Sequence, residues 1–359
     1  MAGDQGTLAS LRLTDFRAFE GARLALSASA NVLAGGNAAG KTSLLEAIFL
    51  LGRGQSFRSA RLDSLIRHGA GSLTAFVELR PGSTAQRVGI EVERGSGTTC
   101  RVDGSAATRS ELATALPVQL LDPVSQELVR GPPEERRRFL DWGVFHVEQG
   151  FLESWQRYRR ALDQRNAALR AGDWASVSAW DEPLATAGVG VDLLRRRAVA
   201  QLLPGVQRLS DQLLGQPAEV DYHPGWPEGV DLRQALQDSV ARDRQMAGTQ
   251  VGPHRADLKL RLGGRMARPT VSRGQEKLLA AALSLAQTEQ VSAKLGRRVV
   301  LLVDEPAADL DQVHLGRLLG ALAGAPAQLF ITTLDGTRLE LPTQATVFHV
   351  EHGVVRCLV

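Results

Sequence analysis

The chain has 359 residues, of which 43% are hydrophobic and 23% charged, so it can bury a large core and form two domains. A net charge of +3 indicates only a tolerance for polyanions. The most apolar stretch, residues 278–286, is too short to span a bilayer, and the start resembles no signal peptide, so no membrane association is expected. Cys100 and Cys357 match no metal or redox spacing, which favours reduced, buried thiols in a cytoplasmic protein.

Residues 7–121 have the pattern of short strands. Partly alternating apolar residues occur at 11–13, 23–26, 74–79 and 88–92, with Gly- and Ser-rich turns between them. A helix is predicted near residues 109–116. Residues 117–121 predict a buried strand.

A glycine-rich loop follows the apolar run at residues 31–34 and precedes a helical pattern. It fits GxxxxGKT, and with the next residue the predicted ATP-binding set is Gly35, Gly36, Asn37, Ala38, Ala39, Gly40, Lys41, Thr42 and Ser43. In the order strand, loop, helix, this pattern cradles phosphates with backbone N–H groups at the positive end of the helix. Lys41 would reach the β- and γ-phosphates, and Thr42 would hold Mg²⁺.

The identity of the cation in this loop adds weight to the phosphate site. The chain has only four lysines, Lys41, Lys259, Lys277 and Lys294, and its other strongly basic side chains are all arginine. A compact ammonium is therefore retained at Lys41 in a chain that otherwise uses guanidinium groups.

Residues 133–244 have helical character. Arg-rich amphipathic stretches run over 134–170, 189–214 and 232–244, with a break at 172–174. They are too short and too irregular in heptad phase for a long coiled-coil arm. We therefore predict a compact, all-helical lobe at residues 126–248, inserted between head segments 1–125 and 249–359.

Strand character returns in the last segment, and two acidic residues follow one of its strands. The apolar runs at 298–303 and 328–333 suit central parallel strands, and 347–355 suit a hairpin. Asp304 and Glu305 end the first run, where a sheet of this class binds ligands. Asp304 would support Mg²⁺ and Glu305 would polarise the attacking water, with Lys41 as the third catalytic residue. The alternative is a surface turn with two acids.

A third element, Ser272, Arg273, Gly274 and Gln275, leads into a helical run. A Ser and a Gly at a helix start can bind an anion, although an ordinary N-cap explains them equally well. The order of elements is more specific: glycine loop, S-x-G-Q, strand with Asp-Glu, then Asp309 and Asp311 as the D-loop. This order is typical of an α/β, ABC-type ATPase head that is split in sequence.

An ABC-type head implies a dimer with two shared sites. Ser272 and Gly274 of one subunit would close on the γ-phosphate held at Lys41 of the other, so ATP joins the subunits and hydrolysis releases them. Thr332 and Thr333 stand where transporter heads usually keep a switch histidine. Gln126 is the candidate for the lid glutamine.

The chain resembles the RecF family of bacterial recombination mediators along nearly its full length. The residues that carry the resemblance are D-F-R at 15–17, the glycine loop, and the runs 131–141, 250–258 and 272–277. The resemblance implies an SMC-like head without a long coiled coil, with ATP and Mg²⁺ as cofactors and weak, DNA-stimulated hydrolysis. It also implies an ATP-dependent homodimer that binds duplex DNA and single-strand/duplex junctions. RecR and RecO would be partners in loading RecA at gaps, in DNA repair, replication and the SOS response.

Two runs of three arginines are candidates for DNA binding. The first is Arg136, Arg137 and Arg138, and the second is Arg195, Arg196 and Arg197. The alternative is a solvated helix face on which nearby acids such as Glu134 and Glu135 pair with them. His254 and Arg255, in the 250–258 run, fit either a packed interface between the lobes or an ATP contact.

Two other classes of protein share parts of this pattern. The energising subunit of a membrane transporter has its signature motif much closer to the glycine loop than Ser272 is to Thr42. A structural SMC-type tether needs long heptad repeats, which the chain lacks.

Overall fold

The computed structural model describes residues 6–80, 86–334 and 345–358. The chain divides into two compact units. Unit 1 comprises Met1–Gln126, Gln212–Gly215 and Arg273–Val359, and unit 2 comprises Glu127–Asp211 and Gln216–Ser272. Within the described ranges, none of the helices combines the length and the apolar character that crossing a membrane requires.

The secondary structure follows the change of character seen along the sequence. The first part contains β1 (Leu8–Phe16), β2 (Phe19–Ala25), β3 (Ala30–Ala34), α1 (Lys41–Arg53), β4 (Ser72–Leu79), β5 (Arg87–Glu93), β6 (Gly97–Val102), β7 (Ser105–Ala106), α2 (Arg109–Ala115) and β8 (Val118–Leu121). Then come α3 (Glu127–Arg130), α4 (Pro133–Val147), α5 (Phe151–Ala171), α6 (Trp174–Leu214), β9 (Ala218–His223), α7 (Leu232–Asp238), α8 (Val240–Met246), β10 (Asp257–Leu262), β11 (Arg265–Met266) and α9 (Ala267–Thr270). The last part contains α10 (Arg273–Leu295), β12 (Val299–Val303), α11 (Gln312–Gly324), β13 (Ala327–Thr333), β14 (Ala345–Glu351) and β15 (Val354–Cys357).

The described residues of unit 1 form two six-stranded sheets. One is antiparallel, in the order β2-β1-β4-β5-β6-β7. The other has the order β15-β14-β3-β13-β12-β8, and every pair in it is parallel except β14 with β15. All residues of β3 and β12 are buried, as their continuous apolar runs predict for central parallel strands. The carboxyl ends of β3, β12 and β13 therefore meet at one edge.

Helix α1 belongs to the hydrophobic core that both sheets of unit 1 share. Its Leu44 and Ile48 are buried in one cluster with Leu13 of the antiparallel sheet and Leu302 of the parallel sheet. The start of α1 is thereby fixed at the edge of the parallel sheet. The expectation of two buried thiols is wrong, because Cys100 is only half-buried and Cys357 is exposed.

Unit 2 is mainly helical but also contains an antiparallel sheet in the order β11-β10-β9. The lobe therefore differs from the all-helical expectation, because its two longer strands have the alternating burial of a half-exposed sheet. Its boundary differs too. Strand β10 pairs with β9 inside unit 2, for example Leu258 with Tyr222, so the chain returns to unit 1 only at Arg273 and not at residue 249.

Candidate nucleotide site

The predicted glycine-rich loop joins the end of β3 to the start of α1. Gly40 is the N-cap of α1 and has a φ of +113°, which favours glycine. A Cβ there would lie 2.9 Å from Cζ of Phe19, and a Cβ on Gly35 would collide with the carbonyl of Val350. Glycine is thus required at both ends of the loop, and the loop leads into the positive end of a helix dipole.

Lys41 is buried within the loop, with 4% of its surface exposed. Its Nζ donates to the carbonyl oxygens of Gly35 and Gly36, each at 2.8 Å. Burial lowers the pKa of Lys41, and the Glu305 and Asp304 carboxylates oppose that shift. The hydrogen-bond partners carry no formal charge, so the ammonium retains its attraction for a phosphate.

Thr42 and Asp304 form the part of the site suited to magnesium. Thr42 Oγ1 donates to the two carboxylate oxygens of Asp304 at 3.2 and 3.1 Å. Mg²⁺ takes oxygen ligands and usually keeps waters and phosphate oxygens, so the hydroxyl fits as a ligand and the carboxylate as an acceptor for a metal-bound water. Among the residues that the structure describes, no group of three or more His, Cys, Asp or Glu forms a cation site. Nucleotide phosphates would complete the coordination.

Thr332 orients both acids of the site. Its Oγ1 donates to Asp304 Oδ1 at 2.6 Å and accepts the backbone N–H of Glu305 at 2.9 Å. Glu305 has a φ of +49°, a left-handed conformation that a non-glycine residue adopts at a cost and that is common at functional sites. The carbonyl of Thr333 accepts the N–H of Gly35 at 3.2 Å. Both predicted switch residues thus contact the site, and their switching role stays a prediction.

The signature residues lie at the start of α10. Ser272 and Arg273 are exposed. A Cβ on Gly274 would lie 3.1 Å from the carbonyl oxygen of Asp309, so the helix start and the D-loop are in close contact. Gly274 and Gln275 do not appear among the described residues that line the phosphate-loop cavity. This is the placement expected if they serve a second subunit, and that contact stays a prediction.

Lys277, one turn further along α10, fixes the loop between β12 and α11. Its side chain is 3% exposed and donates to the carbonyl oxygens of Glu305 at 2.9 Å and Ala308 at 2.7 Å. Burial lowers the pKa of Lys277 to about 8. The ammonium therefore connects the signature helix to the segment that carries Glu305. The sequence signals for this residue were the scarcity of lysine and its place at the end of the 272–277 run.

The other predicted residues of this region have structural contacts. Asp311 is the N-cap of α11 and accepts from the N–H and Nδ1 of His314 at 2.8 and 2.7 Å. Gln126 is buried at the end of a short 3-10 turn and is not among the described cavity residues, so its lid role stays a prediction.

Asp122, which directly follows β8, is a buried carboxyl beside the acids of the site. Burial raises its pKa, hydrogen bonds from Ser125 oppose this, and the Asp304 carboxylate adds to the rise. The backbone N–H of Asp304 donates to Leu121, the residue before Asp122, at 2.8 Å. Parallel pairing of β8 with β12 brings the two acids to the same edge.

A cavity of about 740 Å³ opens over the phosphate loop. Residues 37–43 and Glu305 line one part of it. The rest is lined by residues that the motifs did not identify, namely Arg17, Ala18, Arg58, Asp63, Ser64, Ile66, His68 and Arg94. Asp63 and Ser64 lie in a short 3-10 turn and the others in segments that connect the strands and helices. Their spacing has no recognisable pattern, and only Arg17, in the D-F-R run, had a sequence signal.

Arg17 is held by α1. Its Nε and Nη2 donate to the two carboxylate oxygens of Glu46 at 2.9 and 2.8 Å, and its Nη1 donates to the carbonyl of Ser64 at 3.0 Å. Glu46 is fully buried. Bidentate pairing fixes the guanidinium plane at the cavity wall.

Two of the arginines predicted to bind DNA are internal to unit 2. Arg136 donates to Asp257 at 2.7 and 3.2 Å and is 8% exposed. Arg195 is fully buried and donates to Asp141 at 2.8 and 2.9 Å and to the carbonyl of Pro253 at 2.7 Å. The prediction is wrong for these two, because their charge is neutralised inside the fold.

The other arginines of the two runs are Arg137, Arg138, Arg196 and Arg197. Arg138 pairs with Glu134 and Glu135 at 2.6 and 2.9 Å, as the solvated-face alternative predicted. Arg196 pairs with Asp192 at 2.7 Å, and Arg197 is exposed. For Arg137, Arg138, Arg196 and Arg197 a role in DNA binding stays a prediction.

His254 packs inside unit 2. Its Nε2 donates to the carbonyl of Thr249 at 2.9 Å, so its Nδ1 accepts from the Tyr158 hydroxyl at 2.6 Å. Burial lowers the pKa of His254 to about 4, so the ring is neutral. Gly252 has a φ of +122°, and a Cβ there would lie 2.6 Å from the Tyr158 hydroxyl. These partners all belong to unit 2, so His254 packs within one unit, and the interface between the lobes stays a prediction.

Known proteins match this chain along nearly its full length. The family described as RecF/RecN/SMC N terminal domain matches residues 7–356. Proteins named "DNA replication and repair protein RecF" from Pseudomonas putida strain GB-1 and Pseudomonas aeruginosa strain LESB58 are each 41% identical, over 357 and 358 residues. Each alignment covers 97% of both chains.

Solved structures share the fold. One described as "Structure of the recombination mediator protein RecF-ATP in RecFOR pathway" has a TM-score of 0.86 at 24% identity and covers 98% of both chains. An Smc head, described as bound to the C-winged helix domain of ScpA, has a TM-score of 0.62 at 15% identity and covers 98% of this chain and 97% of that one. The ABC-type, SMC-like head fold is therefore confirmed.

Proposed function

The chain belongs to the RecF family, and from that premise we propose that it is an ATP-dependent DNA-binding protein of recombinational repair and replication restart. It dimerises with ATP in the cytoplasm and binds DNA, duplex and single-strand/duplex junctions included. With RecO and RecR it assists RecA loading at gaps. The names of the relatives and the RecFOR pathway of the structural neighbour support this proposal.

One observation carries the ATP part of the proposal. Buried Lys41 has only uncharged hydrogen-bond partners and lies near two acids, Asp304 and Glu305, whose positions are fixed. Lys41 donates to carbonyl oxygens of its own loop, and a γ-phosphate can replace these as acceptor. Asp304 and Glu305 are held by one threonine hydroxyl beside it. Such an arrangement binds a triphosphate and places a base next to it.

Each residue has a distinct task in the proposed hydrolysis. Lys41 neutralises the β- and γ-phosphates, and Glu305 orients the attacking water and accepts its proton. Thr42 and Asp304 hold the Mg²⁺ ion, which supplies charge neutralisation at the phosphates. Thr332 supplies a hydroxyl where related transporters use an imidazole, and we therefore expect weak hydrolysis. Its stimulation by DNA is an expectation from the family resemblance.

The nucleoside end of ATP fits the remaining wall of the cavity. Ile66 offers an apolar contact, Asp63 an acceptor, and Arg17 a guanidinium plane that Glu46 holds in place. In the proposed dimer, Ser272 and Gly274 of a second subunit close the phosphate end.

The test measures molecular mass in solution, ATP affinity and ATP turnover for the wild type and two variants. Glu305→Gln should lower turnover by about a hundredfold or more while ATP still doubles the mass, because only the water-orienting carboxylate is lost. Lys41→Ala should lose both ATP affinity and dimerisation, with an unchanged melting temperature.

Ser272→Arg provides the matched control for the dimer. It should bind ATP as the wild type does and stay monomeric, because the added cation would enter the partner's phosphate site. Normal turnover in Glu305→Gln would remove that residue as the base. A wild type whose mass does not respond to ATP would contradict the dimer.

A further inference from the structure

The solvent-exposed face of the antiparallel sheet in unit 1 carries a row of basic and aromatic positions. Register places Arg23, Arg12, Phe76, Gly89 and Arg101 side by side on five adjacent strands, β2, β1, β4, β5 and β6. The three arginines are exposed, and the phenylalanine and the glycine are half-buried. We call these five residues the arginine row.

The arginine row contains a pairing that costs stability. Arg12 and Arg23 lie directly opposite each other, and like charges in that position destabilise a sheet. The guanidinium of Arg12 lies 5.7 Å from the centroid of the Phe76 ring, and its ion pair with Glu78 is 3.4 Å long and exposed. Exposed pairs of this kind contribute little, so the row keeps an excess of positive charge.

One flank of the Phe76 ring, the one beside Gly89, is open to contact, while the guanidinium of Arg12 lies over the ring. The solvent-exposed face of an antiparallel sheet normally carries polar side chains, so an aromatic ring at its centre is unusual. Gly89 stands beside it, and a Cβ there would lie 3.4 Å from Cδ2 of the ring. A larger side chain at Gly89 would cover this flank of the ring. Glycine inside a strand often marks close approach of a ligand.

Carboxylates on either side of the arginine row define its edges. Glu78 follows Phe76 by two positions and pairs across the sheet with Ser10 and Arg87. Glu91 follows Gly89 by two positions and lies on the other side of the arginine row from Glu78, in line with Thr74 and Thr99 of the adjacent strands. A polyanion on this face is therefore attracted along the row and repelled on the Glu91 side, whereas on the other side Arg87 offsets the charge of Glu78.

We propose that the arginine row is a binding surface for single-stranded nucleic acid. The arginines contact phosphates, and a base stacks on Phe76, a combination that binds single strands without sequence preference. Adjacent strands are about 4.8 Å apart, so the row spans about 19 Å, enough for several nucleotides. This inference rests on the proposed DNA-binding function and assigns it a surface in unit 1.

The test uses a fluorescent 25-nucleotide oligothymidylate and a 25-base-pair duplex. Affinity is measured at several salt concentrations, with a non-hydrolysable ATP analogue present. Phe76→Leu should weaken binding of the single strand roughly tenfold, because stacking is lost while the face stays covered. Arg12→Ala with Arg23→Ala should lower the slope of log affinity against log salt by about 1.4, or about 0.7 for each phosphate contact on a single strand.

Arg317→Ala, an exposed arginine of α11, is the matched control and should bind as the wild type does. Melting temperatures exclude misfolding of the variants. If the wild type binds DNA and both Phe76→Leu and the double variant bind it with the same affinity, the arginine row is not the binding surface. The proposed function would then stay intact. Loss of duplex binding in the double variant, with no effect of Phe76→Leu, would overturn the single-strand assignment. A wild type that binds neither oligonucleotide would overturn the proposed function as well.

Discussion

Buried cations occur in both units, but their partners differ. In unit 1, Lys41 and Lys277 donate to backbone carbonyl oxygens. In unit 2, Arg136, Arg165 and Arg195 each pair with a carboxylate at 2.7 or 2.8 Å. Both units therefore contain buried cations, but carboxylates neutralise only those named in unit 2.

The shape of the two cations contributes to the difference, but it is not the whole cause, because buried Arg297 of unit 1 also donates to carbonyl oxygens, at 3.0 and 2.7 Å. A guanidinium presents a planar fork that matches a carboxylate, whereas an ammonium is compact and donates in three directions. The three buried arginines of unit 2 are neutralised by internal ion pairs and hold the fold together. The lysines of unit 1 keep their formal charge beside the loop and acids of the site. A cluster of arginines in the sequence is thus weaker evidence for anion binding than a single buried lysine.

The largest effect is expected from Arg165→Met. This substitution leaves Asp181 and Asp243 without their buried cation, so the free energy of unfolding should fall by about 3 to 5 kcal/mol. Urea denaturation followed by circular dichroism measures the change. Arg157→Met, at an exposed arginine of the same helix, is the control and should change stability by less than about 0.5 kcal/mol. If the two variants were equally stable, the buried ion pairs of Arg165 would not stabilise unit 2, and the contrast with the lysines of unit 1 would be lost.

Lys277→Met applies the same substitution to unit 1. Here we expect stability to change little, because loss of two hydrogen bonds is offset by removal of a desolvated charge. ATP turnover should fall about tenfold with unchanged KM, because the loop that carries Glu305 is released. Lys294→Met, exposed in the same helix, should turn over ATP normally. A parallel loss of stability, or a rise in KM, would assign Lys277 a merely structural role.

The smallest effect concerns pH and His254. Burial lowers the pKa of His254 from 6.5 to about 4. Between these two pH values the unfolded chain therefore binds more protons than the folded protein. Stability should therefore fall as pH drops through that window, by about 1 kcal/mol between pH 8 and 5.5. Urea denaturation at both pH values measures this change in the wild type and in His254→Asn. The other titrating groups are the same in both proteins, so their contribution cancels in the difference. An identical loss in both proteins would mean that His254 does not contribute.

The sequence by itself determined the phosphate loop, the acids of the site and the central strands. Glycines at Gly35 and Gly40, the lysine at Lys41 and the apolar run before Asp304 are local signals, and the structure has each in its predicted context. Local signals suffice here because a glycine loop and a buried strand depend on neighbours in the chain. The order of the motifs then identified the ATPase head.

Only the tertiary structure decided which charges are neutralised and which side chains line the cavity. The partner of Arg136 is Asp257, which lies far along the chain, and no pattern within either segment predicts the pairing. The small sheet of unit 2 depends in the same way on the pairing of β9 with β10. The arginine row arises from the register of five strands. These features require contacts between distant segments, and such contacts form only when the whole chain is packed.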